Sequence, residues 1–236
     1  MAKVLVIPDT HARDFWKKAK EIIDNYDKVV FLGDYVDPYE YEFNLTKKEL
    51  RKKTIKDFEE IIEFAKQYSD KVVLLDGNHL LHYFNTMYAC SRFDNLIADE
   101  IETLYCENQE LFHRCYLLDN VLFTHAGVSE QWVNYVSNMT DIPYENNPVE
   151  FINKCPFNYL MSCDWYRGGR DMHSGPEWLD VHQLAYEVSI LPGYYHVFGH
   201  TSLLKAIKEP SYACIDTQEL YELDTLTHEI ECLENF

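Results

Sequence analysis

The chain has 236 residues, 47% of them hydrophobic and 26% charged, which is enough to bury a substantial core and too apolar for a disordered chain. A net charge of −19 excludes a protein that grips nucleic acid by nonspecific electrostatics, because only six arginines are available to build a positive footprint. No apolar run approaches the ~20 residues of a membrane span, and the apolar stretch of "MAKVLVIPDT" is too short for a signal peptide.

The first third alternates strand and helix. "KVLVI" is a short strand, and Phe15, Ala19, Ile22 and Ile23 then fall at helical spacing. "KVVFL" is a second strand. An amphipathic helix follows, with Leu50, Ile55, Phe58, Ile61, Ile62, Ala65 and Tyr68 on one face and a solvated Lys-rich face opposite. Thr46 and Glu49 form its capping-box signature. "KVVLL" is the third strand, so the segment predicts a largely parallel sheet covered by helices. Residues 95–112 read as an acidic helix. "RCYLLDNVLFTH" reads as two strands joined by Asp119-Asn120. Ser129 to Ser137 is helical, and residues 138–176, with four prolines and Gly168-Gly169, form a long, partly irregular region of the kind that carries function. A helix is expected near Glu177–Ile190, then "YYHVFG" and several short strands. No repeat or linker divides the chain, so residues 1–236 read as one domain. The seven cysteines are odd in number and scattered without a CxxC, which points to reduced thiols of a cytoplasmic protein.

Polar residues of one chemical kind follow five apolar runs. "VLVIP" leads to Asp9-Thr10-His11, "VVFLG" to Asp34, "VVLLDG" to Asn78-His79, "NVLFT" to His125 and "YHVFG" to His200. In open α/β sheets, binding groups gather at the carboxyl ends of strands. Any one of these residues alone is a turn or surface residue. Together they are carboxylates, imidazoles and an amide with no thiolate, a set suited to Mn²⁺, Fe, Zn²⁺ or a similar ion. Six ligands exceed the need of one tetrahedral ion and fit two ions sharing a carboxylate.

As a set, "DTH" 9–11, "GD" 33–34, "GNH" 77–79, "HAG" 125–127 and "GHT" 199–201 resemble the signature of the calcineurin-like metallophosphoesterases, in that family's order. The resemblance implies an α/β fold, a two-sheet β-sandwich flanked by helices in four layers, with a dinuclear metal site at the carboxyl ends of the strands. "YACID" and "YELDTL" look like its closing sheet. It implies that Asp9 and His11 bind the first metal, that Asp34 bridges, and that Asn78, His125 and His200 bind the second. The two divalent ions are expected to be Mn, with Fe, Zn, Ni or Co as alternatives. Ser202 stands where many relatives carry a further histidine, as in the branch of protein phosphatases and dinucleoside polyphosphatases.

The activity so implied is in-line attack of a metal-bridging hydroxide on a phosphate ester, with His79 as proton donor to the leaving group and Asp37 as its partner. "GDYVDP" keeps Gly-Asp-x-Val-Asp but has Pro38 where that branch has a phosphate-binding arginine. It also has Leu80 for Glu after Gly-Asn-His, Ala126 for the first Gly after His125, and Ala12 for Gly. Arg167, Arg170 and Arg13 are therefore the candidate phosphate ligands. The substrate is expected to be a phosphoprotein, nucleotide or small phosphoester, with a phosphomonoesterase first. A dinucleoside-polyphosphate or phosphodiester hydrolase and a catalytically silent metal-binding module are the alternatives.

Overall fold

In the computed structural model, residues 1–233 are described. Three parallel strands come first, β1 (Lys3–Ile7), β2 (Lys28–Phe31) and β3 (Val72–Leu75). They read as continuous apolar runs because both faces of their sheet are covered. Between them lie α1 (Ala19–Ile22) and α2 (Lys47–Gln67). Thr46 Oγ1 accepts from Glu49 N–H while the Glu49 carboxylate accepts from Thr46 N–H, closing the expected capping box. The inward face of α2, including Phe58, Ile61, Ile62 and Phe64, packs with Trp16, Phe31 and Tyr35 in one core.

After β3 the chain forms α3 (Asn78–Leu81), α4 (Ala98–Cys106) and β4 (Phe112–His113), the last parallel to β3. A hairpin of β5 (Tyr116–Leu118) and β6 (Val121–Phe123) turns at Asp119-Asn120, where Asp119 takes φ 52°. Helices α5 (Glu130–Met139), α6 (Pro148–Lys154) and α7 (Phe157–Leu160) pack through Trp132, Phe151, Ile152 and Leu160 against Leu122. The remaining strands are β7 (Tyr195–Phe198), β8 (Ile207–Glu209), β9 (Tyr212–Cys214), β10 (Tyr221–Asp224) and β11 (Ile230–Cys232).

The strands form two sheets, β11-β10-β1-β2-β3-β4 and β5-β6-β7-β9-β8. Val4, Val6, Val30 and Leu75 of the first meet Val121, Phe123, Val197 and Ala213 of the second in a sandwich core. With helices outside both sheets, the four-layer α/β expectation holds.

Two expectations differ. "YACID" and "YELDTL" do not form one closing sheet: Tyr212–Cys214 joins the second sheet beside β7, whereas Tyr221–Asp224 pairs antiparallel with β1 in the first. The helix expected over Glu177–Ile190 is only a 3₁₀ turn at Val181–Ala185. Its continuation is captured by the start of α5, where Glu130 N–H donates to Ser189 O and Leu191 N–H to Val128 O. Among the described residues no disulfide forms, and no helix is long and apolar enough to cross a membrane.

Candidate metal centre and its cleft

Strands β1, β2 and β3 are mutually parallel, as are β6 and β7, so their carboxyl ends bring Asp9, Asp34, Asn78, His125 and His200 to one edge of the sandwich. The turns that do this use unusual backbone. His11, Asp34, Asp37 and His200 have φ of 43°, 50°, 57° and 65°. Left-handed conformations of non-glycine residues cost about 1–3 kcal/mol each and concentrate at functional sites. Glycines give the room. A Cβ on Gly77 would lie 2.3 Å from Asp34 Oδ1, and one on Gly199 would lie 2.3 Å from Asp9 Oδ1.

Two groups of potential ligands result, Asp9–His11–Asp34 and Asp34–His125–His200, with Asp34 in both. Asp34 Oδ2 lies 3.7 Å from His11 Nε2 and 3.5 Å from His125 Nε2. Asn78 Oδ1 lies 2.9 Å from His125 Nε2 and 3.0 Å from His200 Nδ1. The outer nitrogens are committed elsewhere: His11 Nδ1 faces Val36 O at 2.6 Å and His125 Nδ1 faces Leu32 O at 2.8 Å. Donation to those carbonyls leaves each Nε2 as a lone pair aimed inward. A buried set of lone pairs from two carboxylates, three imidazoles and an amide fits divalent cations and little else.

Burial and mutual charge perturb these groups strongly when no cation is present. Burial pushes the Asp9 carboxyl up to about 7, with Asp34 adding to the rise and His125 opposing it. Burial also raises Asp34, but the four imidazoles around it prevail and hold it below the usual carboxylate range. Burial lowers His11 to about 3. It lowers His125 too, yet the charges of Asp34, Asp9 and Glu177 overcome that and raise it to about 9. Behind His125, Glu177 is fully buried with neither carboxylate oxygen hydrogen-bonded, and burial raises it to about 8.

Beside this set, His79 Nδ1 lies 2.8 Å from Asp37 Oδ2, and Tyr83 OH donates to Asp37 Oδ1 at 2.5 Å. His79 N–H donates to Asp34 Oδ1 at 2.9 Å, tying the pair to the candidate ligands. His11, Asp34, Asn78, His79 and His200 open on a cleft of about 680 Å³ lined also by Tyr39, Arg92, Arg167 and Trp178.

The arginines divide. Arg167 lines the cleft, held by an ion pair to Asp180 (Nε–Oδ2 2.7 Å) and a bond to Thr201 Oγ1 at 2.9 Å. Arg13 is turned aside by Glu42 at 2.7 Å, and its Nη1 donates to Asp9 O at 3.3 Å instead of lining the cleft. Arg170 is exposed and does not line it either. Arg92, which the sequence did not single out, does. Its Nε donates to Asp37 O at 2.8 Å, its Nη2 lies 3.1 Å from His79 Nε2, and its guanidinium stacks 3.7 Å from the Tyr39 ring centroid. The signal available in sequence was indirect: only six arginines exist to serve a phosphate site.

A four-layer α/β sandwich with buried carboxylates and imidazoles converging at its strand ends defines a metallohydrolase. The family profile described as calcineurin-like phosphoesterase matches residues 2–203, and the chain belongs to that family. It is a metallophosphoesterase, of a family that uses divalent metals. Among solved structures, a cold-active protein-tyrosine phosphatase of the psychrophile Shewanella sp. is similar at TM-score 0.56 and 16% identity, covering 99% of this chain and 81% of that one. A second structure of a cold-active protein tyrosine phosphatase gives TM-score 0.56 and 16% identity over 100% and 79% of the two chains. Such identity speaks to the fold alone. No curated protein matches the chain.

Proposed function

We propose that the chain is a dinuclear phosphomonoesterase in which Asp9 and His11 hold one divalent ion, Asn78, His125 and His200 hold a second, and Asp34 is common to both. The observation that carries this reading is the membership of Asp34 in both ligand groups, 3.7 and 3.5 Å from imidazole nitrogens on either side. Two ions held there, with manganese as the first choice, supply Lewis acidity and a water of lowered pKa for attack on phosphorus.

The chain's own residues do the rest. Asp37 accepts from His79 Nδ1–H, fixing the ring at the cleft, where it is the candidate to pass a proton to the leaving oxygen. Arg92 and Arg167 present guanidinium groups to the phosphoryl oxygens, and two such groups suit a monoester dianion. Arg92 donates to the carbonyl of Asp37, the residue before Pro38, and so replaces the arginine that Pro38 lacks. The test is parallel assay of metal-depleted, Mn²⁺-reconstituted protein on an aryl phosphomonoester, an aryl phosphodiester, a phosphopeptide and a dinucleoside polyphosphate. The monoesters should turn over fastest. A diester or polyphosphate preference would overturn the reading, and silence on all four with metal bound would indicate a binding module.

A further inference from the structure

A second cluster of potential metal-binding side chains lies against the first and shares none of its candidate ligands. His79, His82 and Cys90 each bring a donor atom within 4.8 Å of the others, with His79 and His82 buried and Cys90 half-buried. Cys90 Sγ is 2.9 Å from His82 Nδ1 and 3.9 Å from His79 Nε2.

Tautomers can be assigned from the partners. Cys90 N–H donates to His82 Nδ1 at 3.2 Å, so that nitrogen carries a lone pair. His82 Nε2 then bears the proton, and it lies 2.7 Å from Asp37 Oδ2. His79 Nδ1 meets the same carboxylate oxygen at 2.8 Å, leaving Nε2 as its lone pair. Two imidazoles thus share one carboxylate oxygen and stand beside one sulfur, which lies 2.9 Å from His82 Nδ1 and 3.6 and 3.9 Å from His79 Nδ1 and Nε2. That is the carboxylate–histidine arrangement that orients ligands around zinc. Asn78 Nδ2 also points at the sulfur, at 3.7 Å, which keeps the amide oxygen directed at the other centre.

We propose that His79, His82 and Cys90 form a third, inhibitory cation site that selects Zn²⁺. Two nitrogens and a thiolate suit zinc far better than the hard ions favoured by the carboxylate-rich centre next door. His79 and Cys90 line the cleft, so the ion enters from that side and a water completes four-coordination. Binding replaces the Sγ–H bond by an Sγ–Zn bond, with the proton passing to solvent. It also takes up His79 Nε2, now 3.1 Å from Arg92 Nη2, and expels that guanidinium from its place. The binding claim stands on geometry alone. Only the loss of turnover rests on His79 as proton donor, as proposed above.

The experiment uses full-length protein whose carboxylate-rich centre is first saturated with Mn²⁺, titrated with Co²⁺ as a spectroscopic substitute for Zn²⁺ and then with Zn²⁺ itself. The expected result is one further equivalent of Co²⁺ bound with a thiolate-to-cobalt charge-transfer band, which Zn²⁺ abolishes. None of the ligands proposed for the dinuclear centre is a thiol, so the band reports this cluster. C90A and, separately, H82Q should each lose the band while still binding Mn²⁺. Zn²⁺ that silences the native protein should leave the residual turnover of C90A unaffected. A native protein without the band, a band that persists in C90A, or equal Zn²⁺ inhibition of native and C90A protein would each overturn the proposal. Because the band needs no substrate, it can appear even if the phosphomonoesterase reading fails.

Discussion

Gly77→Ala tests how tightly backbone room controls the centre. The added Cβ would stand 2.3 Å from Asp34 Oδ1 and 2.5 Å from Asp34 N, where ordinary contact begins at 3.4 Å. Asp34 must therefore retreat by about 1 Å, and because one of the two affected atoms is backbone, rotating the carboxylate alone does not relieve the clash. The shift propagates, because Asp34 O accepts the His11 N–H at 2.9 Å. Displacement of that size costs about 10²-fold in turnover when it misplaces a reacting group. Overpacking adds about 1–3 kcal/mol of instability, a fall of roughly 2–12 °C in Tm for a domain of this size. Gly199→Ala is the internal comparison. Its Cβ meets Asp9 Oδ1 at 2.3 Å, but the next atom, Asp9 Cγ, is at 3.4 Å, so rotation of one carboxylate relieves it. The assay is kcat with an aryl phosphate, alongside Mn²⁺ stoichiometry and a thermal melt. G77A should be the more damaged on all three. A G77A protein that binds metal normally and turns over within about twofold of native would refute the reasoning.

Three further outcomes are expected. D37N keeps the shape of the His79 partner but removes its charge, and should slow alkyl phosphates by about 10²–10³-fold and aryl phosphates much less, read from a leaving-group series. R92A should lower kcat/KM for monoesters by about 10–100-fold, the worth of one charged hydrogen bond of ~1.5–3 kcal/mol, whereas R170A should change it by less than about twofold in the same assay. Burial raises Asp57 to about 6, so its charged form opposes folding. Unfolded, the group ionises near 3.8, so the penalty is absent below pH 4, grows between pH 4 and 6 and is complete above. D57N can still accept from Trp16 Nε1, and its unfolding free energy should gain on that of the native protein from pH 4 to pH 7, by up to about 3 kcal/mol, read from denaturant melts at each pH.

The convergence of Asp9, His11, Asp34, Asn78, His125 and His200 was legible in the sequence because strand ends are. An apolar run that stops at Gly33-Asp34 or Gly77-Asn78 declares both the strand and what stands at its tip, and the parallel order of β1, β2 and β3 carries the tips to one place. Arg92 was not legible because no period governs how it arrives. It comes from an irregular segment between α3 and α4, at φ 68°, and is placed by hydrogen bonding to Asp37 O, a partner 55 positions away. Arg13 misled for a matching reason: proximity to His11 in sequence says nothing of Glu42, which turns the side chain aside. The helix expected near 177–190 gives way because Ser189 O and Leu191 N–H pair with Glu130 and Val128 instead.

The antiparallel pairing of β1 with β10 has a consequence for synthesis. The strand that delivers Asp9 and His11 is laid down first, yet its neighbour on one side spans Tyr221–Asp224, and the amide that holds Asp9 in place belongs to His200. At about 5–20 residues per second, a ribosome needs roughly 10–40 s to travel between the two strands. During that interval the first two candidate ligands wait on an unfinished sheet, and a nascent polypeptide stalled before β10 carries all six candidate ligands while β1 lacks its antiparallel neighbour.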